Sequence, residues 1–281
     1  MRGEFVDLDG RRIYCYAAGT RGAGPPIVLV HGAFTSSHLW RDVVPRLPTG
    51  HRVLVLDLLG HGRSDLPADA AYDVDAHAER LHRLLLLLGV EPACFVGHGL
   101  GAAVVSALAR RAPERVAHLV LVNPCLVGEA GDPVPPPGAL RRLAWLAPLF
   151  ERLPPAWLAS TLHTTLLRGY SQRTTGGHVL DVYLKPYRSI AGRAVAGRQL
   201  RALTRRASGV RLTELATPTS RAILLGGNDP STRRPGTWHH GATHEPAPDA
   251  VQVVADVATA IPEEAPDRVA ATVAAVLTPL T

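Results

Sequence analysis

The chain has 281 residues, of which 46% are hydrophobic, 19% charged and 5% aromatic. This globular composition excludes a disordered, collagen-like or coiled-coil chain, and the length suits one large domain or a core interrupted by a second. Thirty Lys and Arg against 24 Asp and Glu give a formal charge of +6, and since Lys185 is the only lysine the excess is guanidinium. Cys15, Cys94 and Cys125 are odd in number, widely spaced and lack a CxxC pair. They argue against a disulfide framework or a zinc site and suit a reducing cytosol.

The first residues, Met-Arg-Gly-Glu-Phe-Val-Asp, carry acids where a signal peptide needs an apolar stretch. The longest apolar run, Leu84 to Val90, is far shorter than the roughly 20 residues that span a bilayer. A cytoplasmic protein with no membrane association is expected.

In chain order, Phe5–Asp7 and Arg11–Ala17 read as a hairpin around Asp9-Gly10. Pro26–Val30, His51–Asp57, Ala93–Val96 and Arg115–Val122 are short apolar runs of the kind buried on both faces of a sheet. Helical stretches near Ser37–Arg46, Val74–Leu88 and Leu100–Arg111 separate them, which predicts right-handed crossovers and a mainly parallel sheet. After Asn123-Pro124 comes Gly131-Asp132-Pro133-Val134-Pro135-Pro136-Pro137-Gly138, a linker unfit for regular structure. From Ala139 to about Ser208 the pattern is helical. Strand texture resumes at Ala222–Leu225 and Val251–Ala255, and a last helix runs from about Ala265 to Leu277. A helical insertion therefore interrupts an α/β sheet.

The insertion holds twelve arginines between Arg141 and Arg211 and few acids. A solvated helical face explains them, and so does attraction of an anionic or carrier-bound substrate. Nucleic acid is not an expected partner, because aromatics for base stacking are few and no binding motif occurs. Monomer and homodimer both remain open.

Four motifs occur in order. They are His31-Gly32-Ala33-Phe34 after one buried strand, Asp57-Leu58-Leu59-Gly60-His61-Gly62-Arg63-Ser64-Asp65 after the next, Gly97-His98-Gly99-Leu100-Gly101 between a strand and a helix, and Gly226-Gly227-Asn228-Asp229-Pro230 after the insertion. Together they resemble the α/β-hydrolase superfamily, in its capped branch of epoxide hydrolases, haloalkane dehalogenases and C–C hydrolases. The resemblance implies an eight-stranded, mainly parallel α/β sheet flanked by helices. It also implies a helical cap over about 128–215, between core segments 1–127 and 216–281.

In that family the nucleophile stands at the centre of G-x-S-x-G, on a tight strand-to-helix turn. Here the centre is Gly99, which has no side chain, so neither acyl transfer nor an aspartate-ester route has its nucleophile. The family's closing histidine, matched without gaps on Glu264-Ala265-Pro266, falls on Thr259. Asp229 matches the acid of the triad. Loss of nucleophile or base costs up to about 10⁶ in turnover. About 10³–10⁴ over water remains from the oxyanion hole and positioning.

By the same resemblance the amides of Ala33 and Leu100 form an oxyanion hole, able to polarise a carbonyl without a nucleophile. Gly99 either leaves room for a bulky guest or marks drift in a non-catalytic relative. Asp229 is a candidate base or a structural vestige. His31, His98 and His61 serve packing or the pocket, with Phe34 beside them. Trp238, His239, His240 and His244 replace the usual helix after Asp229; they form an exposed loop, a pocket wall bearing a substitute base, or a weak metal site. Tyr170, Tyr183 and Tyr187 are candidates to hydrogen-bond a substrate oxygen, and Trp145 and Trp157 pack cap helices or stack on a ligand. No G-x-G-x-x-G spacing appears, so cofactor independence is the expectation, with no metal.

Three functions follow from the resemblance. The first is a non-hydrolytic enzyme of specialised, polyketide-like metabolism catalysing cyclisation, C–C bond formation, rearrangement or elimination on a bulky, apolar small molecule. The second is a ligand-binding pseudoenzyme or receptor. The third is an ester or epoxide hydrolase with a relocated base.

Overall fold

The computed structural model describes residues 3–20, 22, 24–90, 92–124, 146–150, 152, 154–204, 221–229 and 251–278. Among them are eight strands: β1 Glu4–Asp7, β2 Arg12–Ala18, β3 Ile27–Val30, β4 Val53–Leu56, β5 Ala93–His98, β6 Val116–Val122, β7 Arg221–Gly226 and β8 Val251–Val254. They form one sheet in the order β1-β2-β4-β3-β5-β6-β7-β8. The β1–β2 and β2–β4 pairs are antiparallel and every other pair is parallel. Asp9 and Gly10 both take positive φ, at 57° and 75°, the backbone that a tight hairpin turn needs.

Two apolar layers cover the sheet. On one side α1 (Val74–Leu87) and α2 (Leu100–Arg111) bury Leu81, Leu85, Val104 and Leu108 against Val28, Leu54 and Phe95. On the other, α7 (Pro266–Leu277), which follows the one-turn α6 (Ile261–Glu264), packs Val269, Val273 and Val276 with Leu29, Val55 and Leu224. All four residues of β3 and of β4 are buried, as expected of strands covered on both faces.

The helix expected over Ser37–Arg46 is instead two short 3₁₀ turns, Ser37–Trp40 and Val44–Arg46. Pro45 has no N–H to donate, and the amide of Ser37 is drawn 2.6 Å to the carboxylate of Asp57. That carboxylate also accepts from Arg63 N–H at 2.8 Å, and Ser64 Oγ donates to the Asp57 carbonyl at 2.7 Å. The acid and serine of the second motif thus staple their own loop.

Between β6 and β7 lie α3 (Pro155–Leu167), α4 (Arg173–Leu184) and α5 (Ile190–Leu203). Their core joins Phe150, Leu158, Leu162, Leu184, Tyr187 and Leu200 to Phe34 of the sheet domain. The helical insertion therefore seats on the first motif.

Strand order reverses direction between β3 and β5: β3 leads outward to β4, β5 leads the other way to β6. The carboxyl ends flanking such a switch point form a crevice where α/β sheets place their sites.

Candidate active site

Five strand ends meet around that crevice. Gly99 follows β5 and precedes α2, with φ 52° and ψ −110°, a backbone open to glycine and strained for other residues. Its N–H donates to Val122 O at 3.0 Å and its carbonyl accepts from Ala103 at 3.3 Å. Among the described residues, a Cβ built there would meet only Gly32 Cα within 4 Å, at 3.8 Å. The flanking glycines are different. A Cβ on Gly97 would lie 2.5 Å from Gly101 O, and one on Gly101 only 2.2 Å from Val30 O. The tight strand–turn–helix junction is thus complete, lacking a central side chain. Leu100 heads α2, so its amide has no intrahelical acceptor and lies at the positive end of the helix dipole.

Across the crevice, Phe34 takes φ 56°, a left-handed backbone that a phenylalanine adopts only when its surroundings hold it. Its buried ring contacts Tyr187 edge-on, 5.6 Å between centroids. Phe34 is an anchor for the insertion, beside the Ala33 amide expected in the oxyanion hole. His31 Nε2 accepts from Leu58 N–H at 3.0 Å, which leaves the proton on Nδ1 to donate to Gly32 O at 2.8 Å. That pair of bonds fixes the loop from underneath.

At the ends of β6, β7 and after β8 stand Asn123, Asp229 and Thr259. Thr259 Oγ1 donates to Asp229 Oδ2 at 2.5 Å, and Asn123 Nδ2 donates to the same oxygen at 2.9 Å. Asn123 Oδ1 in turn accepts from Gly226 N–H at 3.1 Å, and its φ is 44°. The threonine expected in place of the histidine therefore does meet the acid. Sequence reasoning missed Asn123, reading Asn123-Pro124 only as a change of texture; an asparagine directly after a buried strand, tolerant of positive φ, was the signal.

His98, at the end of β5, donates from Nε2 to the Thr259 carbonyl at 2.8 Å. Its Nδ1 is buried, has no hydrogen-bond partner among the described residues, and packs on Gly32, where a Cβ would come within 2.5 Å. Burial lowers its pKa, opposed by the Thr259 bond. His98 ties the elbow to the Thr259 loop and faces backbone, in place of an open pocket.

The tyrosines expected to address substrate are committed elsewhere. Tyr183 is fully buried and donates to Glu263 Oε1 at 2.7 Å, while Tyr170 donates to Glu263 Oε2. Arg41, directly after the first 3₁₀ turn, also donates to Oε1. Burial, then the Glu263 charge, push both tyrosine pKa values up. Tyr187 is buried too, and its hydroxyl lies 3.2 Å from Gly60 O and 3.1 Å from Gln199 Oε1. Trp157 is 40% exposed on α3, so it neither packs the insertion core nor faces the crevice from a buried position. Trp145, Trp238, His239, His240 and His244 lie outside the described residues.

The turn from Gly169 to Gln172 closes the crevice on the Thr259 side. Ala260 N–H donates to Gly169 O at 2.9 Å, Gln172 N–H to Glu264 Oε1 at 2.7 Å, and a Cβ on Gly169 would lie 3.3 Å from Thr259 Cβ. No set of three or more metal-ligating side chains occurs among the described residues, and no described helix is long and apolar enough to cross a membrane.

The model of the family described as "alpha/beta hydrolase fold" matches residues 25–200. The chain is 41% identical over 123 residues to 2-hydroxymuconate semialdehyde hydrolase from Pseudomonas sp. (strain CF600), covering 41% of this chain and 43% of that one. It is 32% identical over 122 residues to haloalkane dehalogenase from Mesorhizobium japonicum, covering 43% and 38%. These matches span less than half of each curated relative. Among solved structures, an α/β-hydrolase-fold protein from Burkholderia ambifaria superposes with a TM-score of 0.79 at 25% identity, covering 96% of both chains. With that match over more than half its length, the sheet order and the elbow at Gly99, the chain belongs to the α/β-hydrolase fold family.

Proposed function

We propose that this chain is a non-hydrolytic α/β-hydrolase-fold enzyme whose catalytic triad is degenerate at Gly99 and Thr259. The observation that carries the reading is the Gly99 turn: the elbow backbone stands intact, and among the described residues only Gly32 Cα comes within 4 Å of where a side chain would begin. Thr259 cannot accept a proton near neutral pH, and its hydroxyl is spent on Asp229. What would remain at the strand ends is a small-molecule site with the proposed amide donors of Ala33 and Leu100. Such donors stabilise developing negative charge on a carbonyl oxygen or enolate without a covalent intermediate. Confinement of a reactive substrate lowers the barrier further. Likeness to a semialdehyde hydrolase supports a carbonyl-bearing small molecule. The proposed reactions are cofactor-independent cyclisation, C–C bond formation, rearrangement or elimination on a bulky apolar substrate of polyketide-like metabolism. An anionic or carrier-bound form of it would suit the arginine-rich insertion, and a cytoplasmic setting the free thiols. His239 or His240 is the proposed base, because Asp229 and the described tyrosines are engaged.

That same engagement favours a second reading, a ligand-binding pseudoenzyme. Incubation of purified protein with polycarbonyl compounds, followed by mass spectrometry, separates the two. Protein-dependent product supports the enzyme, and a ligand that binds and returns unchanged supports the receptor. Turnover of p-nitrophenyl acetate by the unmodified protein at rates of an intact triad would overturn both in favour of hydrolysis, the activity of the curated relatives.

A further inference from the structure

We infer that the groove between the β1–β2 hairpin and α1 binds the oxyanion group of a small molecule, with Arg80 as its seat. The groove encloses about 400 Å³, with Leu8, Ile13 and Leu59 among its lining and Arg11, Arg80 and Arg83 around it. Asp9 and Glu79 also line it. Asp9 pairs with Arg83, Glu79 with Arg111 at 2.9 Å, and Arg11 with Asp69 at 3.2 Å. These charges cancel in pairs. Arg80 stands apart, with no carboxylate in bridging distance among the described residues.

Arg80 is also placed where its charge is least welcome. Its side chain runs back along α1 and donates from Nη2 to Ala71 O at 2.7 Å, two residues before the helix cap at Asp73. The guanidinium therefore lies beside the first turn, the positive end of the helix dipole. Burial and then the charge of Arg11 hold its pKa below the ordinary value. Its Nη1 is buried and has no hydrogen-bond partner. Arg198, on α5, lines the neighbouring groove with Tyr72 and is no part of this one. A half-buried guanidinium with no bridging carboxylate and an unused donor beside a groove is the pattern of an anion site. An oxyanion there would accept from Nη1, offset the unbridged charge of Arg80, and rest any short apolar tail on Leu8, Ile13 and Leu59.

The site is independent of the chemistry proposed at Gly99. Its test is a titration of the whole protein with inorganic pyrophosphate, and separately with hexanoate, against sodium chloride at equal ionic strength. Thermal unfolding and amide chemical shifts are the readouts. One of the two anions is expected to raise the unfolding temperature beyond chloride, with shift changes at residues 8–13 and 71–83. Pyrophosphate identifies a phosphate-bearing ligand, hexanoate a carboxylate-bearing one. R80Q is expected to weaken that binding about tenfold or more, and R80K to retain part of it. Equal effects of both anions and chloride, shift changes confined to other surfaces, or full affinity in R80Q would overturn the inference. The shift mapping decides the matter even if R80Q does not fold.

Discussion

Thr259 donates its hydroxyl to the carboxylate of Asp229 at 2.5 Å, so the acid proposed for the triad is satisfied by the residue at the proposed base position. Asn123 shares that oxygen. T259V removes one donor from a buried carboxylate and keeps the shape. A hydrogen bond to a charged group contributes about 1.5–3 kcal/mol, and T259V is expected to lose stability in that range by urea denaturation. A loss below about 0.5 kcal/mol would mean that Asp229 draws its support from elsewhere.

Glu263 joins the sheet domain to the insertion. Its side chain is fully buried, and it accepts from Arg41 on one side and from Tyr170 and Tyr183 on the other. Removing it in E263A strands two buried hydroxyls and part of a guanidinium, at a cost of about 3 kcal/mol or more. E263Q keeps one acceptor oxygen, and an intermediate loss is expected. Hydrogen exchange should accelerate first in residues 166–184, because the Gly169–Gln172 turn is held by the same segment. Unchanged protection there in E263A would show that apolar packing alone seats the insertion.

Much of the architecture was legible in sequence because it follows from local rules. Ile27–Val30 and Val53–Leu56 are apolar throughout and lie at the centre of a covered sheet, and Asp9-Gly10 demanded a tight hairpin. The strand-to-helix turn at Gly99 was legible by the spacing of its glycines. The partners of the site were not, since they come from distant chain segments. Nothing local to Glu263 says that Tyr170, 93 residues away, will donate to it. Tyr183 and Tyr187 looked like free hydroxyls because sequence shows the donor and hides the acceptor. The Ser37–Arg46 helix failed for a related reason: Asp57, twenty residues on, captures the Ser37 amide.

Beneath the first motif three buried rings stand in a row: His31 to His61 at 5.0 Å and His61 to His77 at 6.1 Å between centroids. His61 Nε2 and both nitrogens of His77 have no hydrogen-bond partner. Burial is the main cause that lowers all three pKa values, that of His77 to about 3 from 6.5. With the folded value below the unfolded one, the unfolded chain binds more protons at any pH between them. Stability therefore falls as pH drops below 6.5, by about 1.4 kcal/mol per unit per histidine, until the folded value is reached. H77L removes one such group at similar volume. Between pH 7.5 and 5.0 it is expected to lose about 2 kcal/mol less than the unmodified chain, as measured by urea denaturation. Parallel pH profiles for the two proteins would refute the account.

The three glycines of Gly97-His98-Gly99-Leu100-Gly101 serve different ends, and stability measurements can separate them. Gly97 and Gly101 permit backbone contacts at which a methyl group would lie 2.5 Å and 2.2 Å from carbonyl oxygens of Gly101 and Val30. Neither carbonyl can retreat without breaking the junction of β3, β5 and α2. G97A and G101A are thus expected to cost about 3 kcal/mol or more, or to prevent folding. At Gly99 the nearest described neighbour lies 3.8 Å away, and among the described residues only its φ of 52° opposes a side chain. That strain costs of order 1–3 kcal/mol. G99S should therefore fold, with a loss visible in urea denaturation but smaller than that of either neighbour. G99S with T259H tests the rest: hydrolysis of p-nitrophenyl acetate absent from the unmodified chain would mean that the crevice still holds the family's geometry. If G99S proves as damaging as G101A, the space above the turn is not open and the reading of Gly99 as a vacated nucleophile position fails.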